Sequence, residues 1–163
     1  MLITMLADMG YSTVHEAARD IFDEGLAKGQ TLQQIRGEEQ AWQQKILTRI
    51  LKNESAVDPE ALTFFDRGAH DGLAFLKMKG LTPGSYWKQV IKNKRKPYYK
   101  TVFLLEPLNN FERDYMRTED AEIAKRLNEL TEAVYAEAGM RPVRIPALPP
   151  KKRLALILQH INN

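Results

Sequence analysis

Short β-prone runs alternate with longer amphipathic stretches along the whole chain, and that alternation leaves few folds open. The β-prone runs are Tyr11 to Val14, Ala61 to Phe65, Tyr98 to Leu105 and Arg141 to Ile145. The second and third are compact and apolar, as in strands buried on both faces. Between the runs, apolar residues recur at helical spacing. Ala18, Ile21, Phe22 and Leu26 mark a helix over Ala17–Lys28, stopped by Gly29. Trp42, Ile46 and Ile50 mark one over Glu38–Leu51, with Gln and Lys on its other face, and Asn53 to Pro59 reads as a polar connection. Helices are also expected over His70–Lys79, Ser85–Lys94 and Glu119–Ala138, and over a final stretch opened by Pro149-Pro150. Strand–helix alternation of this kind predicts an α/β fold, a parallel sheet covered by helices.

The 163 residues suit a single domain over 1–163. No apolar run approaches the ~20 residues of a membrane span, so no membrane partner is expected. No basic segment precedes an apolar leader, and there is no cysteine, which together fit a cytoplasmic protein without disulfides or thiol catalysis. The net charge of +3 does not by itself imply a nucleic-acid partner. The basic runs Lys92 to Lys96 and Lys151 to Arg153 read as solvated faces or helix ends, or as phosphate-facing groups. Tyr98-Tyr99 beside the first run is either a strand edge or a platform for stacking bases.

In open parallel sheets, ligands bind beyond the carboxyl ends of the strands. Three of the four edges carry a carboxylate close to an arginine. Glu16 and Arg19 follow the first run, Asp66 and Arg67 the second, and Arg113, Asp114 and Arg117 come after the third; Pro146 to Pro150 follow the last. Carboxylates can orient Mg²⁺ or accept a hydroxyl proton, and arginines can neutralise a phosphoryl group in transfer. Plain structural readings stand beside these. Thr13-x-x-Glu16 fits a capping box, Glu16 with Arg19 a helix pair, Asp66 a helix cap and Asp114 with Arg117 a surface ion pair. His15, His70 and His160 lack metal-ligand spacing and read as ordinary polar positions.

Val14-His-Glu-Ala-Ala-Arg19, Phe64-Phe-Asp-Arg-Gly68, Val102-Phe-Leu-Leu105 and Asp114-x-x-Arg117 occur in this order. The ordered set resembles a family of small AAA-like P-loop ATP/GTP-binding proteins related to ribosylnicotinamide kinase and, more distantly, to other nucleoside and nucleotide kinases. The resemblance runs over nearly the whole chain. It implies a three-layer parallel sheet with helices on both faces, Mg²⁺ with ATP or GTP, and a small-molecule acceptor whose pocket is shaped by Ala17 to Leu51. Glu16 matches the residue that acts as base or holds the acceptor, with Arg19 beside it. Asp66 matches the residue serving Mg²⁺ and phosphate, with Arg67 as its neighbour. Arg113 and Arg117 match lid arginines over the phosphates, and Pro146 and Ala147 match the contact with the base.

Such proteins begin with a strand and the loop G-x-x-x-x-G-K-[ST], whose N–H groups and Lys cradle phosphates. These 163 residues contain no such motif. Leu2, Ile3, Leu6 and Met9 read as the helix behind that loop, closed by Gly10 and preceded by no capping residue. By the resemblance, the absent strand belongs between those formed by Ala61–Phe65 and Tyr98–Leu105. Either this chain starts late, or the two strands pair directly, or a second copy fills the edge and makes a homo-oligomer. The alternatives for function are a P-loop NTPase or small-molecule kinase, and a non-catalytic interaction module derived from one. The first predicts an in-frame apolar stretch and G-x-x-x-x-G-K-[ST] in the DNA ahead of Met1. A stop codon there, with no such stretch, supports the second.

Overall fold

The computed structural model describes residues 1–85, 87–88, 99–107 and 121–162, apart from the side chain at 121. The chain divides into two compact units, Met1–Gly72 and Leu73–Asn163.

In the first unit α1 (Leu2–Asp8) leads into β1 (Ser12–Val14) through a left-handed Gly10, φ +89°. Gly10 N and Tyr11 N donate to Ala7 O and Leu6 O, closing the helix end, and a side chain at Gly10 would strain this backbone. Ile3 and Leu6 are the buried face of α1, and the Tyr11 ring stands edge-on to Phe64 at 5.3 Å. Next come α2 (Ala17–Ala27), α3 (Leu32–Arg36), α4 (Glu39–Ala56) and β2 (Thr63–Phe65). β1 and β2 pair in parallel, with Val14 opposite Phe65.

The helices of the crossover form their own core. Phe22 and Trp42 meet with ring centroids 4.8 Å apart, and Leu47 is wholly buried. Gly25 lets α3 seat on α2, because a Cβ there would fall 2.5 Å from Ile35 Cγ1. Arg49 Nη1 and Nη2 donate to the two Glu24 oxygens at 2.8 Å each, tying α4 to α2.

In the second unit α5 (Asp71–Met78), which starts in the first, is followed by β3 (Phe103–Leu105), α6 (Ala121–Glu137), β4 (Val143–Ile145) and α7 (Pro150–Asn162). β3 and β4 are parallel, with Leu105 opposite Ile145. Leu76, Leu104, Val134, Ile145 and Ile157 are buried. Lys77 on α5 reaches Glu137 on α6 at 2.8 Å.

The expected alternation is present, as a mixed α/β chain with small parallel sheets, but several limits differ. Each strand is three residues long. Leu62 lies outside β2 and is 50% exposed, and all three β2 residues are half-buried rather than covered on both faces. Among the described residues β2 has only β1 as a ladder partner, and β3 only β4. The expected polar connection at Asn53 is helical, since α4 runs on to Ala56 with Glu54 buried, and it stops where Val57 turns extended ahead of Asp58-Pro59. The short helix α3 escaped the periodicity. Its signal was the cap: Thr31 Oγ1 accepts from Gln34 N, and Gln34 Oε1 accepts from Thr31 N. The box read at Thr13-x-x-Glu16 does not form, because Glu16 is itself the N-cap residue of α2, with no side-chain capping bond. Of Ser85–Lys94, residues 85, 87 and 88 are helical, and the remainder, like Lys92 to Lys96 and Tyr98, lies outside the described residues.

Truncation of Leu47→Ala should cost about 2–5 kcal/mol in urea unfolding, because the site is closed on all sides. The α2–α4 clasp adds a pH effect. Hydrogen bonding from Arg49 lowers the Glu24 pKa. A depressed carboxylate pKa stabilises the fold above the unfolded value, and this is lost as pH falls through the folded value. Glu24→Gln should therefore flatten part of the acid limb of Tm against pH and leave the slope above pH 7 unchanged.

Candidate functional site

Because β1 and β2 are parallel and in register, their carboxyl ends lie side by side. Asp66 N donates to Val14 O at 2.9 Å, which carries the ladder one residue past β2. Glu16 and Arg67 each stand two residues beyond their strands, and Arg67 Nε meets Glu16 Oε1 at 2.7 Å. The Glu16 side chain is 19% exposed and that of Arg67 41%, so the pair is part-screened.

Arg67 adopts φ +71°, the sole left-handed non-glycine backbone among the described residues. That conformation costs a non-glycine residue about 1–2 kcal/mol. The turn into α5 holds it there. Gly68 N donates to Asp71 Oδ2 at 2.9 Å, and Asp71 N donates back to Gly68 O at 3.1 Å. Asp71 thus tethers the start of α5, a part sequence reasoning offered to Asp66. Asp66 is exposed, and its carboxylate makes no hydrogen bond or ion pair among the described residues. His70, read as an ordinary polar position, is buried to 2% exposure. Arg19 stands in the first turn of α2, half-buried.

The second unit has its own strand edge. Pro146 and Ala147 follow β4 and are exposed, with Leu148 N folded back onto Pro146 O at 2.8 Å. Two groups not singled out from the sequence, Asn128 and Arg144, hold the edge together with Arg153. Asn128 Nδ2 donates to Leu105 O at 2.7 Å, Arg153 Nη2 donates to Glu106 O at 2.6 Å, and Arg144 pairs with Glu132. The Glu132 hydrogen bonds raise the Arg144 pKa. Arg153 corrects the reading of Lys151 to Arg153 as a solvated helix end. It is only 6% exposed, its Nε has no hydrogen-bond partner among the described residues, and desolvation lowers its pKa against the pull of Glu106. The register held the signal, since Arg153 lies four residues before the buried Ile157. Arg113 and Arg117 lie outside the described residues.

Among the described residues no cluster of three or more His, Asp or Glu side chains could hold a metal by itself. Asp66 is a single oxygen donor. That suits Mg²⁺, which takes one or two carboxylates and fills its shell with water and substrate phosphate oxygens. No described helix is long and apolar enough to cross a membrane.

Parallel strand pairs joined through helices, with acid and arginine side chains gathered past the strand ends, define an α/β protein. The chain belongs to an AAA domain family, whose model matches residues 1–153. That places it among AAA-like P-loop proteins. Comparison with curated proteins and with solved structures gave no match.

Two substitutions separate backbone from side chain at the strained turn. Arg67→Ala loses the ion pair and keeps the strain, whereas Arg67→Gly loses the pair and relieves it. Arg67→Gly should be the more stable by about 1 kcal/mol in chemical denaturation. At the other edge, Arg153→Ala should destabilise by about 1.5–3 kcal/mol, and Arg153→Met, which fills the space without a buried charge, should recover most of that loss.

Proposed function

We propose that the protein, in a form that carries the G-x-x-x-x-G-K-[ST] loop, is a P-loop NTPase or small-molecule kinase, related to ribosylnicotinamide kinase, that works on Mg²⁺ with ATP or GTP on a three-layer parallel-sheet fold. The observation that carries this reading is the meeting of Glu16, Asp66 and Arg67 at one parallel strand edge. In this reading Asp66 is the protein ligand of Mg²⁺. When bound, the ion neutralises phosphate charge that would otherwise oppose attack. Glu16 accepts the proton of the acceptor hydroxyl, and its 2.7 Å bond to Arg67 fixes its direction. Arg19 supports the acceptor side of the same edge. Arg113 and Arg117 cover the phosphates, and Pro146 with Ala147 borders the base. The acceptor is a small molecule presented to Glu16.

A second reading rests on the strand edges. β2 and β3 each have a ladder partner on one side only among the described residues. An exposed edge of this kind can pair with another chain, as in a homo-oligomer or an interaction module without catalysis.

Calorimetric titration with ATP and GTP, in Mg²⁺ and in EDTA, separates the two. Under the first reading a chain carrying the G-x-x-x-x-G-K-[ST] loop binds nucleotide in a Mg²⁺-dependent way, these 163 residues by themselves bind it poorly, and Asp66→Asn in the loop-bearing chain weakens binding at least about tenfold. Glu16→Gln should leave binding within about twofold and lower turnover about 100-fold or more. No nucleotide binding even by a loop-bearing chain, with a mass above the monomer in solution, would establish the interaction module instead.

A further inference from the structure

Helices α2 and α4 share a hollow of about 350 Å³ that the strand-edge site does not use. On the α2 side it is lined by Ile21, Glu24, Gly25 and the C-cap residue Lys28, and on α4 by Lys45, Thr48, Arg49 and Lys52. The α4 set is spaced i, i+3, i+4, i+7 and is one helix face, and Ile21, Glu24 and Gly25 share a face of α2 that Lys28 follows at the helix end. The hollow therefore lies between two facing surfaces. The buried Ile21 and Ile35 make its apolar floor, with Ile35 seated against Gly25.

Charge is what distinguishes it. Four cations face one carboxylate, a surplus of +3 that equals the formal charge of the whole chain. Arg49 is taken up by its two bonds to Glu24. Lys28, Lys45 and Lys52 make no ion pair within 4 Å among the described residues, although Lys28 and Lys52 both act on the Glu24 carboxylate through space. On α4, Lys45 with Arg49 and Arg49 with Lys52 are like-charge neighbours at i, i+4 and i, i+3, with Glu24 the carboxylate that offsets them in the hollow. Asp20 and Glu24 are the acids that act on Arg49 from α2.

We propose that this hollow binds a small phosphorylated molecule, with Lys28, Lys45 and Lys52 on the phosphate and Ile21 and Ile35 under its apolar part. Lysines from two helices surround a compact multivalent anion as point charges, which suits phosphate. The hollow is open to solvent, and its volume is at the lower end of small-ligand sites. Glu24 stands eight residues beyond Glu16, about 12 Å along the helix axis at 1.5 Å per residue. The hollow is thus apart from Glu16, within and just past the Ala17 to Leu51 segment that the resemblance gives to the acceptor pocket.

The test is a titration of the full chain with inorganic pyrophosphate, free of Mg²⁺, followed by ¹H–¹⁵N correlation spectra. Saturable shifts are expected at the Gly25, Lys28 and Thr48 amides. K45E combined with K52E should weaken them at least tenfold, and K45Q with K52Q should weaken them less. The charge-matched control K79E with K125E changes exposed lysines elsewhere and should leave them within twofold. Equal weakening by the control would mean a general charge effect and would overturn the proposal, as would the absence of saturable shifts at these amides. Shifts confined to Val14, Glu16 and Asp66 would also overturn it, while leaving the strand-edge site standing.

Discussion

A parallel strand pair cannot be closed by a tight turn; its ends must be joined by a long crossover, and its carboxyl ends then face the same way. This constraint organises both units. Between β1 and β2 the chain inserts α2, α3 and α4, and between β3 and β4 it inserts α6. The crossover needs its own core, which Phe22, Trp42 and Leu47 supply. Its consequence at the strand ends is chemical. Glu16 and Arg67, fifty-one positions apart in sequence, come within an ion pair because both lie just past strands that end in register.

The parallel alternation was legible because strands and helices carry different apolar periods, and those periods survive in Ile21–Phe22, Trp42–Ile46–Ile50 and Ile157–Ile161. The juxtaposition of Glu16 with Asp66 and Arg67 was legible for the same reason, once both segments were read as parallel. The limits of the strands were not. An apolar run such as Ala61 to Phe65 shows the capacity to pair, whereas the paired length depends on the neighbour's length, and β1 offers only Ser12 to Val14. Likewise α4 outruns its stripe to Ala56 because Glu54 is buried by tertiary packing that no local pattern reports.

Some features escaped because their signal is a single atom's surroundings. Arg153 reads as the end of a basic cluster, yet the register of α7 turns it inward to a backbone carbonyl. His70 reads as polar and lies buried ahead of α5. Gly25 reads as an ordinary helix glycine, and only the position of Ile35 shows that its missing Cβ is required. The left-handed backbone at Arg67 belongs to the same group, since nothing in the sequence distinguishes it from other arginines before a glycine.

That last residue couples two quantities usually treated apart. The ion pair with Glu16 helps hold Arg67 in a conformation its backbone disfavours. A ligand that draws the Glu16 carboxylate to itself removes part of that hold. Occupancy of Glu16 and the backbone state of residue 67 are therefore thermodynamically linked, and the linkage runs both ways. A change that made residue 67 comfortable without arginine would alter how tightly Glu16 engages its partner, although it touched no ligand.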